Sequence, residues 1–150
     1  MYKKILVPVD GSAGAVEAMK KCIVIARAET VGRIMILTVA HFPSQLKSYS
    51  GKLGDIGDAI MEELEVKGKE LLDKALGFFK ENNVKVPIET KLVWGDPSYA
   101  IVKEVMEDGY DLIVMGSRGT GGIHGLLSGN VSRYVSDNVA CSVFIVREVS

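Results

Sequence analysis

The amino-acid sequence predicts an α/β fold with a parallel sheet covered on both faces. Two observations carry that prediction. Short, nearly continuous apolar runs recur at Ile5–Val9, Arg33–Val39, Leu112–Met115 and Val143–Val146, and a more mixed strand-like run at Pro87–Val93. Strands buried on both faces read this way, rather than as strict alternation. Longer stretches with apolar residues at helical spacing lie between most of these runs. Such alternation is the pattern of βαβ units with right-handed crossovers.

Each element has its own local signal. Ser12 is placed to cap a helix that runs to about Ala28, along which Val16, Met19, Cys22, Ile23 and Ala26 recur at helical spacing. Residues 40–57 hold Ser, Gly, Lys, Pro43 and Tyr49 without periodicity. A loop that long inside a compact domain reads as a mobile lid or a disordered segment. From Ile56 to about Asn82, Met61, Leu64, Gly68, Leu71, Ala75 and Phe79 form the stripe of a long helix. Gly95-Asp96-Pro97-Ser98 is a turn that puts Pro97 at the first position of a helix to about Glu107. A last helix, from about Gly129 to Asp137, precedes the final strand. No repeat or second domain is visible, so residues 1–150 are expected to form one domain.

Composition narrows the function. With 18 basic and 19 acidic residues the net charge is -1, and no basic excess argues for nucleic acid or an anionic membrane surface. No apolar run approaches the ~20 residues of a membrane span. The start, basic then apolar from Met1 to Val9, resembles a signal peptide only superficially, because the apolar part is short and Asp10 ends it. Cys22 and Cys141 stand far apart without a CxxC pair and read as reduced core residues of a cytoplasmic protein.

The candidate chemistry lies at strand ends. In open parallel sheets, ligands bind beyond the carboxyl ends of the strands, near the point where strand order reverses. Leu112–Met115 is followed by Gly116-Ser-Arg-Gly119, nine residues, and Gly129-Asn130. Strand, glycine-rich loop and helix start form a phosphate cradle, since glycine admits backbone N–H groups close to an anion and the helix end adds partial positive charge. The same glycines, with Gly121, Gly122 and Gly125, also read as turn residues. Ser128, Asn130 and Ser132 can donate to phosphate oxygens or simply cap the helix. Arg118 can pair with phosphate or stay in solvent. Asp10, with Pro8 fixing the strand end beside it, can accept from a ribose or an adenine amino group, or make an Asx turn before Ser12. Val39 can wall a base, although on its own it reads as core. His41 and His124 lack an evident partner, and Trp94 and Tyr99 read as packing around their turn. The chain holds no GxxxxGK[ST], HExxH or GxSxG, and no metal-ligand cluster.

Four blocks in order resemble the universal stress protein family: Ile5-Leu-Val-Pro-Val-Asp10-Gly-Ser12, Gly95-Asp96-Pro97 with Ile101, Asp111 to Gly119 with Gly129-Asn-Val-Ser132, and Ala140 to Arg147. The second half of the third block matches the family's G-x2-G-x9-G nucleotide motif. The resemblance implies a Rossmann-like three-layer sandwich, of the adenine nucleotide alpha hydrolase-like kind, with a five-stranded sheet of order 3-2-1-4-5. It implies a homodimer through Val143–Val146 and, in the family's ATP-binding subgroup, a bound ATP, ADP or AMP. Carried over residue by residue, Asp10 and Val39 would hold adenine and ribose, with Pro8 and Val9 beside them. Met115, Gly116, Arg118, Gly119, Gly129, Asn130, Val131 and Ser132 would line the phosphates. Mg or Mn would rest on phosphate and water rather than on dedicated protein ligands. Two positions depart from the pattern: Asn130 stands where Ser or Thr is usual, and Ser142 where Pro is common. Asparagine keeps a side-chain amide donor but is bulkier.

Three functions follow as expectations. The first is an adenine-nucleotide-binding homodimer that regulates a stress response, acting on a protein partner through a ligand-biased conformation. The second is an interaction dimer without nucleotide. The third is a slow ATP hydrolase, disfavoured because no general base is evident.

Overall fold

The structure is a computed structural model that describes residues 1–42, 54–117 and 129–147. Its elements are β1 (Tyr2–Pro8), α1 (Ala13–Ala28), β2 (Val31–Ala40), α2 (Asp55–Glu81), β3 (Ile88–Trp94), α3 (Pro97–Asp108), β4 (Leu112–Gly116), α4 (Gly129–Asn138) and β5 (Ser142–Val146). The strands form one five-stranded sheet of order β3-β2-β1-β4-β5, with every neighbouring pair parallel. This is the fold class the sequence predicts and the strand order the family resemblance implies. Order reverses between β1 and β4, because the chain first winds outward through β2 and β3 and then returns to the other side of β1.

Burial explains why these strands read as they do. Ile5, Leu6 and Val7 of β1, Ile34, Ile36 and Leu37 of β2, and Ile113 to Met115 of β4 are fully shielded. Helices cover both faces, so neither set of alternate side chains meets water. α1 packs over β4, and α2 over β2 and β3. α1 touches α2 and α3 touches α4, the pairing that right-handed crossovers require of two layers on opposite faces. Register at the site end is set by Pro8 opposite Leu37, Val39 opposite Val93, and Gly116 opposite Val146.

Several boundaries differ from the expected ones. β1 starts at Tyr2 rather than Ile5, because the Asp111 carboxylate accepts from the backbone N–H groups of Lys3 and Lys4 at 2.7 and 2.9 Å. Strand geometry therefore extends through two charged residues. β1 also closes at Pro8, so Val9 and Asp10 lie just beyond it. β2 is longer than expected at both ends, Val31–Ala40.

The apolar stripe of α2 is partly corrected. Ala75 and Phe79 are buried, as is Leu72, which lies outside the expected set, but Met61 is 43% exposed. A 27-residue helix is about 40 Å long, whereas the seven residues of β3 span about 23 Å. The helix outruns the strands it covers. Most of the expected 40–57 loop (43–53) lies outside the described residues.

Candidate functional site

The junction between β1 and α1 is tied down on two sides. Val9 N–H donates to Leu37 O at 2.8 Å, and Val9 O accepts from the buried Thr38 hydroxyl at 2.9 Å. Val9 is fully buried and holds the chain at the β2 end. Asp10 follows, half-buried, and its Oδ1 accepts from Ser12 N–H at 2.9 Å. That is the Asx turn expected as the local alternative for this residue. Gly11 has φ +82°, a left-handed value that glycine adopts without a Cβ penalty. Ser12 is buried, and its Oγ accepts from Ala15 N–H at 3.1 Å, capping α1 as expected. The turn therefore fixes Asp10 beside the first turn of α1, with Pro8 fixing the strand end behind it.

β2 and β4 supply the flanks. Val39 is buried among core side chains, its plain local reading, and any contact it makes with a ligand uses its outer surface or backbone. Met115 is fully buried, so its side chain packs inside. Gly116 closes β4 against α1, where a Cβ would lie 2.8 Å from the carbonyl carbon and oxygen of Gly14. Real Cβ atoms do not come that close, so this glycine is required by packing whatever else it does. Ser117 N–H continues the ladder to Val146 O at 2.9 Å.

The start of α4 returns to the same place. The Ser132 hydroxyl donates to Ser117 O at 3.5 Å. Ser132 and Val131 are buried, whereas Asn130 is exposed. Gly129 is the first residue of α4. Arg118, Gly119, Ser128 and His124 lie outside the described residues.

Thus the carboxyl ends of β1 and β4 and the amino ends of α1 and α4 meet where strand order reverses. Helix amino ends carry partial positive charge, worth about half an elementary charge each. The space between two such ends favours an anion, and the Asp10 carboxylate, on the β1 side, is a hydrogen-bond acceptor. Sequence reasoning missed three positioning residues here. Gly14 permits the contact with Gly116, Thr38 holds Val9, and Ser117 bridges β5 and α4. Only pairing across elements reveals them. Asp111, at the head of the third motif block, lies at the opposite end of β4 and is structural.

Other candidates separate from this switch point. His41 is exposed, with Nδ1 3.0 Å from Gly95 O. Trp94 and Tyr99, expected to pack, are 39% and 65% exposed. Trp94 ends the outermost strand β3 and Tyr99 lies in the first turn of α3, and both line one groove beside Gly95. Cys22 is buried, which pushes its thiol up to about 12, while Cys141 is half-buried; both are free. Among the described residues there is no cluster of His, Cys, Asp and Glu suited to a metal ion, and no helix long and apolar enough to cross a membrane.

These features define a doubly wound α/β fold with its switch point between β1 and β4. The chain belongs to the Universal stress protein family, whose profile matches residues 1–147. Universal stress protein MJ0531 of Methanocaldococcus jannaschii is 35% identical over 150 residues, covering 99% of this chain and 84% of that protein. Among solved structures, hypothetical protein MJ0577 aligns with a TM-score of 0.78 at 26% identity, covering 100% of this chain and 99% of that one. A universal stress protein in complex with cAMP aligns with a TM-score of 0.64 at 27% identity, covering 97% of each chain.

Proposed function

We propose that this protein is an adenine-nucleotide-binding universal stress protein that acts as a homodimeric stress-response regulator. One observation supports the reading: Asp10, Gly116 and the start of α4 lie at the β1/β4 switch point, where two helices begin. The adenine and ribose go to the Pro8–Asp10 and Val39 side, and the phosphates to Gly116, Arg118, Gly119 and Gly129–Ser132. A structural relative that holds cAMP supports an adenine nucleotide as the ligand class. Magnesium or manganese would be carried by phosphate and water.

Dimerisation through β5 is supported by its edge. Phe144 and Ile145 are 41% and 37% exposed on an outermost strand. An apolar edge with unpaired backbone groups is a template for a second copy. Ile145→Lys should shift the mass in light scattering from dimer to monomer; an unchanged mass removes β5 as the seam.

The deciding experiment is thermal unfolding of nucleotide-stripped protein with ATP, ADP, AMP, cAMP and GTP, each with and without Mg²⁺. A ligand at 100 times its Kd stabilises by about 2.7 kcal/mol. For a domain of this size that is a rise of roughly 5–10 °C in Tm. Adenine nucleotides should give the rise, GTP should not, and Asp10→Ala should abolish it. No shift with millimolar nucleotide would instead favour an interaction dimer without nucleotide.

A further inference from the structure

We propose that the cleft between α1 and α2 binds a small amphiphile with an alkyl body and a single carboxylate head. The cleft has a volume of about 220 Å³. α1 lines it with Ala15, Val16 and Met19, and α2 with Leu71, Ala75 and Phe78, over a floor of Val9. The α2 positions recur at i, i+4 and i+7, so one helix face is committed to it. Protein interiors pack to a density of about 0.74 and leave few voids larger than a water molecule. An apolar cleft of this size, open to solvent between two helices, leaves apolar side chains that a ligand can cover, and apolar cavities take up apolar ligands readily. Filled to interior density, it holds roughly 160 Å³ of ligand atoms, the size of a chain of about eight carbons.

The head group follows from charge. Lys74 is the charged residue that lines the cleft. Lys20, Lys67, Lys69, Lys91 and Lys103 each pair with a carboxylate, whereas Lys74 makes no ion pair among the described residues. Glu70, one turn back at i−4, is not drawn onto it. The one hydroxyl in the lining, Ser12 Oγ, is already engaged by Ala15 N–H. A cleft with apolar walls and an exposed lysine ammonium at its rim, outside the ion pairs of the described residues, fits a monoanion with an apolar tail. The site is distinct from the one at the β1/β4 switch point, although both share the Val9–Ser12 wall, and it does not depend on nucleotide binding.

The test uses nucleotide-free wild-type protein titrated with octanoate, octanol and octylammonium, followed by calorimetry and by methyl NMR. Octanoate should saturably shift the methyl signals of Met19, Leu71 and Ala75. Octanol should bind about fivefold more weakly, the weight of one partly exposed ion pair, and octylammonium should not bind. Lys74→Gln should reduce octanoate to the level of octanol, and Ala75→Leu should remove both by filling the cleft. If Ala75→Leu does not fold, Val16→Phe at the rim serves the same purpose. Absence of these methyl shifts in the wild type, equal binding of octanoate and octanol, or unchanged octanoate affinity in Lys74→Gln would overturn the assignment.

Discussion

Two junctions at the carboxyl end of the sheet are built from the same local parts and do different work. At the first, Asp10-Gly11-Ser12 joins β1 to α1; at the second, Trp94-Gly95-Asp96 joins β3 to α3. Each has a glycine at positive φ, +82° at Gly11 and +142° at Gly95, followed at once by a capping side chain. Ser12 Oγ accepts from Ala15 N–H at 3.1 Å, and Asp96 Oδ2 from Tyr99 N–H at 3.2 Å. The first junction lies on the central strand, beside the switch point, with its cap buried. The second lies on an outermost strand, with Trp94 and Tyr99 exposed over a groove of about 310 Å³. Local chemistry makes a strand-to-helix turn, and its place in the strand order decides whether its cap is buried beside the switch point or lies at the sheet's edge.

The helices these junctions launch are also anchored differently. α1 is held by close backbone approach, Gly14 against Gly116. α3 is held by a polar cluster. The buried Glu104 accepts from Lys91 Nζ at 2.8 Å and from Tyr110 Oη at 2.7 Å, and Lys91 also reaches Asp108 at 3.2 Å. Lys4 Nζ sits 4.5 Å from the centre of the Tyr110 ring.

Breaking each anchor should give the largest effects. Glu104→Ala strips a buried carboxylate from two donors and leaves the Tyr110 hydroxyl unsatisfied; a loss of about 3 kcal/mol is expected in urea unfolding. Gly116→Ala drives a Cβ into the Gly14 peptide, and a loss of about 2–3 kcal/mol is expected. If Gly116→Ala is as stable as the wild type, the close packing of α1 on β4 is wrong.

The Glu104 cluster also sets a pH response. Hydrogen bonding to Glu104 raises Lys91 above its ordinary 10.5, and burial first, then Glu104, raises Tyr110 above its ordinary 10.0. In the unfolded chain Tyr110 ionises and Lys91 loses its proton near those ordinary values, while the folded protein resists both. Stability from each is fully present below the unfolded value and is lost as pH rises toward the folded one. Urea midpoints should therefore fall from about pH 9, where the buried Cys22 thiol begins to count, and further from about pH 10, and Glu104→Gln should flatten the second part of that fall. A wild-type midpoint flat to pH 11.5 would rule the cluster out as the cause.

The caps sharpen the comparison with smaller effects. Ser12→Ala should cost about 1–2 kcal/mol because the cap is buried, and Asp96→Ala about 0.5–1 kcal/mol because its cap is exposed to water. Equal losses would mean that burial does not separate the two junctions.

Much of this was legible in the chain. The five strand-like runs, the Ser12 cap and Pro97 at the first position of α3 are local signals, and each element appears where its signal lies. Met61 is exposed although it belongs to the stripe, because periodicity states which residues share a face, not whether anything covers it; Trp94 and Tyr99 are exposed because their turn lies on an outermost strand. The Asx turn of Asp10 was visible in Asp10-Gly11-Ser12. The need for glycine at Gly116 was not, because Gly14 lies a hundred residues away in the chain.

The sequence by itself determined the elements, their alternation and the likeness to a family, since hydrophobic period, caps and turn residues act over a few neighbouring positions. Tertiary structure alone decided what sits beside what. It set Gly116 against Gly14, brought Ser132 onto Ser117 and opened the cleft beside Lys74. Those outcomes depend on contacts between residues distant in the chain, which arise only when the layers pack.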